Sequence, residues 1–461
     1  MRKLLSLLNI HSEESGLVGL ILAFGVLLYA GNIFTQTVCL SLFLNAYDAS
    51  SLPLTYIGIS IFATAISMIY LRLNARFSLS FVLIGNMVVM KIMLIVYRIG
   101  IGLASAPWLV FSLPIYFGVA NILTMTAFWN LLGRMFNLQQ GKHLFNLLMA
   151  SENIATILIG FFAPVLVGWW GTLNLFVIAA GVLVAAFAVL ILILRRYAPL
   201  MQPTQSDPLP QAAESKRRLP LNRYVGFITF SFSLFIVSIY LIDNLFYTQV
   251  TAQFTSEATL TDFICTFLGI VGVVSLMLQV FVFGWVLRRF GVRASILITP
   301  ILLSVCLLLF AFFGTFTTQT VPLFALIVGA NLFRLVMDPN DLSALNILFQ
   351  PLPSKQRTQV QTFVDGSSTP LARGAAGVLL LVLVDGLGFN AVQVAHVLLV
   401  ILALWITAIF ALRREYPHQL FQALTGSRSS LRICSRQLIE MAHEQIDLEG
   451  AARRAAAQQS V

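Results

Sequence analysis

Twelve apolar blocks, each near the length that crosses a bilayer, leave this chain few folds to adopt. A helix needs about 20 predominantly apolar residues to span the hydrocarbon core. Such blocks run over 16–45, 53–71, 79–99, 106–133, 143–169 and 173–194, then over 224–250, 260–287, 294–313, 321–349, 360–384 and 389–411. The first, second, fourth, sixth, ninth and last contain no Asp, Glu, Lys or Arg. Membrane-barrel strands would be short and alternating, which these blocks are not. Charged residues are 10% of the 461, against about 25% in soluble domains, too few to cover a water-facing surface. The pattern predicts an all-α membrane protein of about twelve transmembrane helices.

The cations report orientation. Lys and Arg gather at the N-terminus, at Arg72 and Arg76, at Arg134 and Lys142, and in the 195–223 linker. They return at Arg288, Arg289 and Arg293, at Lys355 and Arg357, and from Arg413 onward. These are alternate loops, and the intervening ones carry none. That bias places both termini in the cytoplasm, with a bacterial plasma membrane the expected location. The net charge of +10 is therefore topogenic, and no nucleic-acid partner is expected. The opening MRKLLSLLNIHSEE places two acids before a block too long for a cleavable signal, so the first span is expected to serve as an uncleaved insertion signal.

The Pro-rich, basic segment 195–223 separates six spans from six. The expected division is 1–194, a first six-helix bundle; 195–223, a cytoplasmic linker; 224–412, a second bundle; and 413–461, a cytoplasmic amphipathic tail able to dock a partner. Weak repetition supports duplication. Ala75-Arg76-Phe77 aligns with Arg288-Arg289-Phe290, and Glu152 aligns with Asp365 at the same offset; Asn32 and Asn244 align at nearly that offset. Two parallel six-span halves resemble the major facilitator architecture, which implies two pseudo-symmetric bundles, a midplane site between them and alternating access by rocking. The basic turns at 72–77 and 288–293 sit where that superfamily has its Gly/Asp/Arg-rich loop. Arg76, Arg288 and Arg289 would then form an electrostatic latch, or serve only to set topology.

Ionisable residues inside spans are the functional candidates, because a charge at a helix centre costs about 2.5–3.5 kcal/mol on insertion scales. Lys91, Arg334 and Arg373 lie roughly halfway along their spans, and Glu152 lies nearer the cytoplasmic end of its own. If they share a central layer, three cations and one carboxylate suit an anionic substrate. Arg334, Asp338 and Asp341 fall on one helix face, with Pro339 between the acids able to kink the helix. A structural Arg334–Asp338 pair is the plain alternative. Asp365 and Pro370 precede Arg373, and Gly374 and Gly377 would allow close helix approach. Glu152 could bind substrate, carry a proton, or pair with Arg373. Asp243 and Asn244 fall toward the outer half, suggesting a vestibule. Substrate contacts are thus expected from Arg373, Arg334, Lys91, Glu152, Asn32 and Asn244. Coupling or gating is expected from Asp365, Asp338, Asp341, Asp243, Arg76, Arg288 and Arg289.

No catalytic set stands out. The five His show no HExxH spacing, and there is no phosphate loop, G-x-S-x-G or dinucleotide fingerprint. Cys39, Cys265, Cys306 and Cys434 are scattered and give neither a disulfide framework nor metal spacing. No enzyme activity, cofactor or metal is expected.

Several segments are similar to the ATP/ADP translocases of plastids and intracellular bacteria. FWNLLGRMFNLQQGKHLFNLL (128–148) carries Trp129 and Lys142, YLIDNLFYTQV (240–250) carries Asn244-Leu245, and 351–377 carries Asp365, Pro370, Leu371 and Arg373. Tyr47, Tyr247, Thr251 and Gln361 stand where that family has charged residues. The resemblance implies a divergent nucleotide-transporter-like carrier with Arg373 its best-retained binding residue. The leading expectation is a monomeric secondary transporter of a small anionic organic solute. A nucleotide exchanger, a non-transporting anchor or sensor, and a lipid-moving groove are the alternatives.

Overall fold

The computed structural model describes residues 15–103, 106–135, 138–197, 222–316, 320–349, 352 and 354–412. Most of the linker and the whole 413–461 tail, with the docking role expected of it, lie outside the described residues. Among those described, no strand occurs. Twelve helices are long and apolar enough to cross a membrane. They are α1 (Gly16–Tyr47), α2 (Ala49–Tyr70), α3 (Ser80–Leu103), α4 (Pro107–Leu132), α5 (Ala150–Trp170) and α6 (Thr172–Arg196). After the linker come α7 (Arg223–Gln253), α8 (Glu257–Val286), α9 (Ala294–Phe316), α10 (Val321–Ile347), α11 (Gln359–Gly386) and α12 (Ala391–Leu412). The architecture is all-helical, two bundles of six in the major facilitator arrangement, as the spacing of apolar blocks predicts.

Packing explains which helices matter for a site. In the first six, α1 packs against α4, α5 and α6, while α3 packs mainly on α6 and α4. In the second six, α7 packs on α10 and α11, and α9 packs on α10. One apolar core joins residues of α1 and α3–α6; the other joins α7–α12 with Phe43, Leu44, Leu52 and Tyr56 reaching in from the first half. Exposed large side chains such as Ile61, Met93, Phe281 and Phe312 cover the perimeter, the surface expected to face lipid rather than water.

Two crossings join the halves, and small residues make both possible. Where α5 meets α8, a Cβ on Gly160 would collide with the backbone of Gly269, and one on Gly272 would lie 3.0 Å from Ile157 Cγ1. Where α2 meets α11, a Cβ on Gly377 would lie 2.6 Å from the Pro53 carbonyl, and one on Gly374 would lie 2.8 Å from Ser60 Oγ. Backbones this close gain dispersion contacts that lipid tails cannot replace, the usual source of helix association in membranes. Polar bonds cross the same seams. Ser60 Oγ donates to the Pro370 carbonyl at 2.6 Å, and Asn153 Nδ2 donates to Gln279 Oε1 at 2.7 Å.

Three local departures from α geometry sit beside these seams. Gln279–Phe283 in α8 and Val364–Ser368 and Val382–Gly386 in α11 are π turns, a feature common at functional positions in helices. The first begins at Gln279, which bonds Asn153; the second ends two residues before Pro370. The basic turn between α8 and α9 bends at Gly291, whose φ of 79° lies in the left-handed region that glycine enters without steric cost.

Gly160→Val is expected to force α5 and α8 apart, costing about 1–3 kcal/mol as an overpacked interior does. Thermal unfolding in detergent should show a lowered melting temperature for it. Gly329→Ala, where an added Cβ meets nothing within 4 Å, should leave the melting temperature unchanged. Equal effects from the two would refute the crossing as a stability determinant.

Candidate functional site

A central cavity of about 290 Å³ lies between the two bundles. Helices α1, α2 and α4 line it from one side, and α7, α8, α10 and α11 from the other. Its walls are mostly aromatic. Tyr56 and Tyr240 meet edge to face across the halves with centroids 4.6 Å apart, and Phe246 stacks on Phe267 at 4.8 Å. Phe117 and Tyr247 complete the apolar surface, while Gln36 and Asn121 supply amides. Residues of this kind are indistinguishable in sequence from ordinary core, so sequence reasoning missed them. Only their convergence from seven helices marks them.

The charged groups of the cavity divide into an internally satisfied set and a free one. Arg334 is buried, and its guanidinium is engaged on three sides. Nη2 donates to Asp243 Oδ1 at 2.9 Å, Nη1 to Asp338 Oδ2 at 3.1 Å, and Nε to Asn331 Oδ1 at 3.0 Å. Loss of any partner would strand charge in a water-poor interior, which is why such a cation is held by several acceptors. The expected Arg334–Asp338 pair is present. Asp243 is its second partner and lines the cavity, a correction to the outer-vestibule reading. Arg334 itself is less available to a substrate than its midspan position suggested, because its donors are already used.

Arg373 is the free cation. It lines the cavity, its guanidinium carbon lies 5.3 Å from the centroid of the Tyr240 ring, and Nε and Nη1 are buried with no hydrogen-bond partner. The α2–α11 crossing holds its backbone in place: Gly374 and Gly377, the next residues on that seam, press against Ser60 and Pro53. A guanidinium carries five N–H donors in a rigid fork suited to carboxylate or phosphate. Stacked on an aromatic face and otherwise unpaired, it is a preformed acceptor for an anionic group.

The other expected contacts distribute as follows. Asn32 is buried on α1, where Nδ2 donates to Asn121 Oδ1 at 2.7 Å and its own Oδ1 has no partner. It reaches the cavity through Asn121. Asn244 donates to the Ala49 carbonyl at 3.2 Å, tying α7 to the short turn before α2. That bond, with the Thr172–Thr261 contact of 3.4 Å, fastens the halves at the end bearing the 48–51 and 171–174 turns. Glu152 is half-buried on α5, outside the lining. It does not pair with Arg373; both ion pairs among the described residues belong to Arg334. Its charged neighbour is Asp338, close enough for the two charges to interact.

Lys91 is not in the cavity. Its Nζ lies 3.6 Å from the centroid of Phe187 on α6, amid exposed Val89, Ile92 and Met93. Depth along a helix can be counted in sequence, but which way the helix turns that residue is set by α3 packing on α6 at the perimeter. The expected central layer of Lys91, Glu152, Arg334 and Arg373 is therefore not formed as a whole. Asp365 is exposed in the first π turn of α11, outside the lining. Asp341 is fully buried against α9, also outside it. Arg76 and Arg289 are exposed and take part in none of the described ion pairs, and the side chain of Arg288 lies outside the description. Among the described residues no cluster of His, Cys, Asp and Glu could hold a metal ion.

Comparison with known proteins agrees with this build. Residues 115–338 match the sequence profile of the TLC ATP/ADP transporter family, a stretch that contains the Asp243–Arg334–Asp338 set but ends before Arg373. No curated protein matches the sequence. Among solved structures, a mutant form of the nucleoside transporter NupG superposes with a TM-score of 0.61 at 14% identity, covering 86% of this chain and 99% of that one. A bacterial homologue of the iron transporter ferroportin in an inward-facing state gives 0.61 at 13% identity, covering 86% and 98%. An auto-inhibited POT family peptide transporter gives 0.58 at 13% identity, covering 87% and 96%. At such identities the likeness carries the fold and not the substrate. Twelve membrane helices, a cavity between two bundles and these matches make the chain a membrane transporter of the major facilitator type that resembles the ATP/ADP translocase family.

Proposed function

We propose that the chain carries a small organic anion, with one acidic group and a flat or apolar body, across a membrane by alternating access. The observation that carries this reading is Arg373, a buried guanidinium in the cavity wall with unpartnered Nε and Nη1. The acidic group of the solute would take that fork. Tyr56, Tyr240, Tyr247 and Phe117 would enclose its body, and Asn121 and Gln36 would meet polar edges.

Charge and volume limit the solute. Asp243, Arg334 and Asp338 together carry one excess negative charge, so Arg373 is the cation left for a ligand. A solute with three or four negative charges would find one partner and a carboxylate-bearing wall. A cavity of about 290 Å³ also lies at the small end of ligand sites, which run from about 300 to 1,000 Å³. The match to the ATP/ADP transporter profile favours a second reading, nucleotide exchange, in which further cations would have to join the site in another conformation. With the basic turns in the cytoplasm of a bacterial cell, the end fastened by Asn244 and Thr172 is the outer one, and this conformation is closed on that side.

Purified protein should be screened by thermal shift against monocarboxylates, aromatic acids, nucleosides, nucleoside monophosphates and nucleoside triphosphates, and each hit followed by uptake into proteoliposomes. Stabilisation by singly acidic compounds supports the small-anion reading. Stabilisation confined to triphosphates, with uptake, would replace it by nucleotide exchange. No hit and no uptake would leave a membrane module without transport.

Arg373→Ala should weaken binding of any such hit about 10- to 100-fold, since a charge-assisted bond contributes about 1.5–3 kcal/mol. Its melting temperature should stay near that of the parent, because no protein partner is lost. Normal uptake by this variant would remove Arg373 from the site.

Arg334→Gln should behave differently. It leaves Asp243 and Asp338 buried without their cation, a change that costs about 3–5 kcal/mol for a broken buried pair, and thermal unfolding should report it as a large loss. The combined variant Asp243→Asn, Arg334→Gln, Asp338→Asn should recover much of that stability, because no unpaired charge remains. A single variant as stable as the parent would show that the network does not hold the bundle.

A further inference from the structure

Away from the cavity, between α9 and α10, lies a buried polar pocket that substrate binding does not use. Asp341 on α10 is fully buried. Its Oδ1 is reached by Asn340 Nδ2 at 3.4 Å, while its Oδ2 has no partner. From α9, Ser295 Oγ donates to Asn340 Oδ1 at 2.7 Å, and Asn340 Nδ2 also donates to the Ser295 carbonyl at 3.2 Å. One turn along α9, buried Thr299 faces the Asp341 carboxyl, and its Oγ1 has no partner either. Two orphaned oxygens thus face one another in a pocket closed to water, and no cation pairs with the carboxylate.

We infer that this pocket is a proton-binding site, in which Asp341 carries a proton on Oδ2 and donates it to Thr299 Oγ1. One proton satisfies both orphans and removes the uncompensated charge, which a buried carboxylate must lose or pair. A metal cation fits worse. Asn340 turns its N–H toward Asp341 and has its carbonyl engaged by Ser295, so only Oδ2 and Thr299 Oγ1 remain as ligands, against the six to eight oxygens a hard cation such as calcium gathers.

The proton has a route. Asp338 lies one turn away on α10, its Oδ1 is unpartnered, and its side chain is 26% exposed. Transfer converts the Asp341 acid to a carboxylate and the Asp338 carboxylate to an acid. Asp338 then releases Arg334, which keeps Asp243, so no charge is created or stranded in the central network. The described charged groups around this path are Arg334 and Asp338 on α10, Asp243 on α7 and Glu152 on α5, the last interacting with Asp338; α9 contributes the neutral Ser295 and Thr299, and the π turn of α8 the neutral Gln279. Breaking and remaking the Asp338–Arg334 bond links the proton to the cavity. That link rests on the transporter reading, whereas the proton site itself does not.

Infrared difference spectroscopy of the purified protein in lipid at neutral pH tests the site without any substrate. The parent minus Asp341→Asn spectrum should show the C=O stretch of one protonated carboxylic acid, shifted in D2O. Thr299→Val should move that band to higher frequency, since its hydrogen-bond acceptor is gone. Asp341→Asn mimics the neutral acid and should retain the parent melting temperature, which keeps the comparison between folded proteins. Absence of the band, with a carboxylate signal lost instead, would overturn the proposal. So would a sodium-dependent rise in melting temperature present in the parent and absent in Asp341→Asn, which would make the pocket a cation site. Failure of every uptake assay alongside a positive infrared result would sink the transporter reading and leave the proton site standing.

Discussion

Hydrocarbon's intolerance of bare charge governs this structure. Three cations occupy the middle of membrane spans, and each has a different solution. Arg334 is neutralised inside the protein by two carboxylates and an amide. Lys91 lies at the perimeter over the face of Phe187, where a long aliphatic stem and a ring quadrupole reduce the cost of its ammonium. Arg373 has neither carboxylate nor lipid-facing position; Tyr240 is its recorded contact. A cation left in that state is tolerable if something else supplies the missing acceptors, and the cavity beside it is where that something can enter.

Rigid seams make this charge distribution useful. The α5–α8 and α2–α11 crossings bring backbones together at Gly160, Gly269, Gly272 and Gly377. These contacts are not adjustable by side-chain movement, because backbone meets backbone. The hydrogen bonds that cross them, Ser60 to Pro370 and Asn153 to Gln279, end next to π turns in α11 and α8. A π turn leaves helix hydrogen bonds in an easily altered register, so flexibility is placed within the helices while the contacts between halves stay fixed. Arg373 lies between the first π turn of α11 and its tight contact with α2, where rearrangement of the helix would reorient the guanidinium.

Much of the fold was legible in the sequence, and the reason is physical. Bilayer thickness fixes the length of apolar blocks, so all twelve helices could be counted, with boundaries a few residues short in cases such as α1 and α7. One-dimensional periodicity also gave the Arg334–Asp338 pair, because i and i+4 neighbours meet on any helix. What failed was azimuth. Lys91 and Arg373 look alike as single cations at midspan, yet one helix is peripheral and the other central. Asp243 seemed remote from the midplane, but α7 brings it to Arg334 across a separation of 91 residues. The aromatic walls were invisible, since Tyr240 and Phe246 are as ordinary in a membrane helix as in a binding site. The TLC profile match over 115–338 also accords with the local similarity of 240–250, read from a few residues.

The central charges argue for how substrate and proton would be joined. Arg334 sits between Asp243 and Asp338, one more acid than it can neutralise. A surplus carboxylate beside a cavity is costly unless a proton can reside there for part of the cycle. Asp338 is the member of the set that can accept one, since it is the most exposed and retains an unpartnered oxygen. Protonating it leaves a neutral Asp243–Arg334 pair and makes the wall more hospitable to an anion on Arg373. Deprotonating it restores negative charge near the same site and favours the anion's departure. Ordinary Coulomb interaction between two arginines and a shared carboxylate would thus couple binding to proton occupancy, with no need for a direct contact between the solute and Asp341.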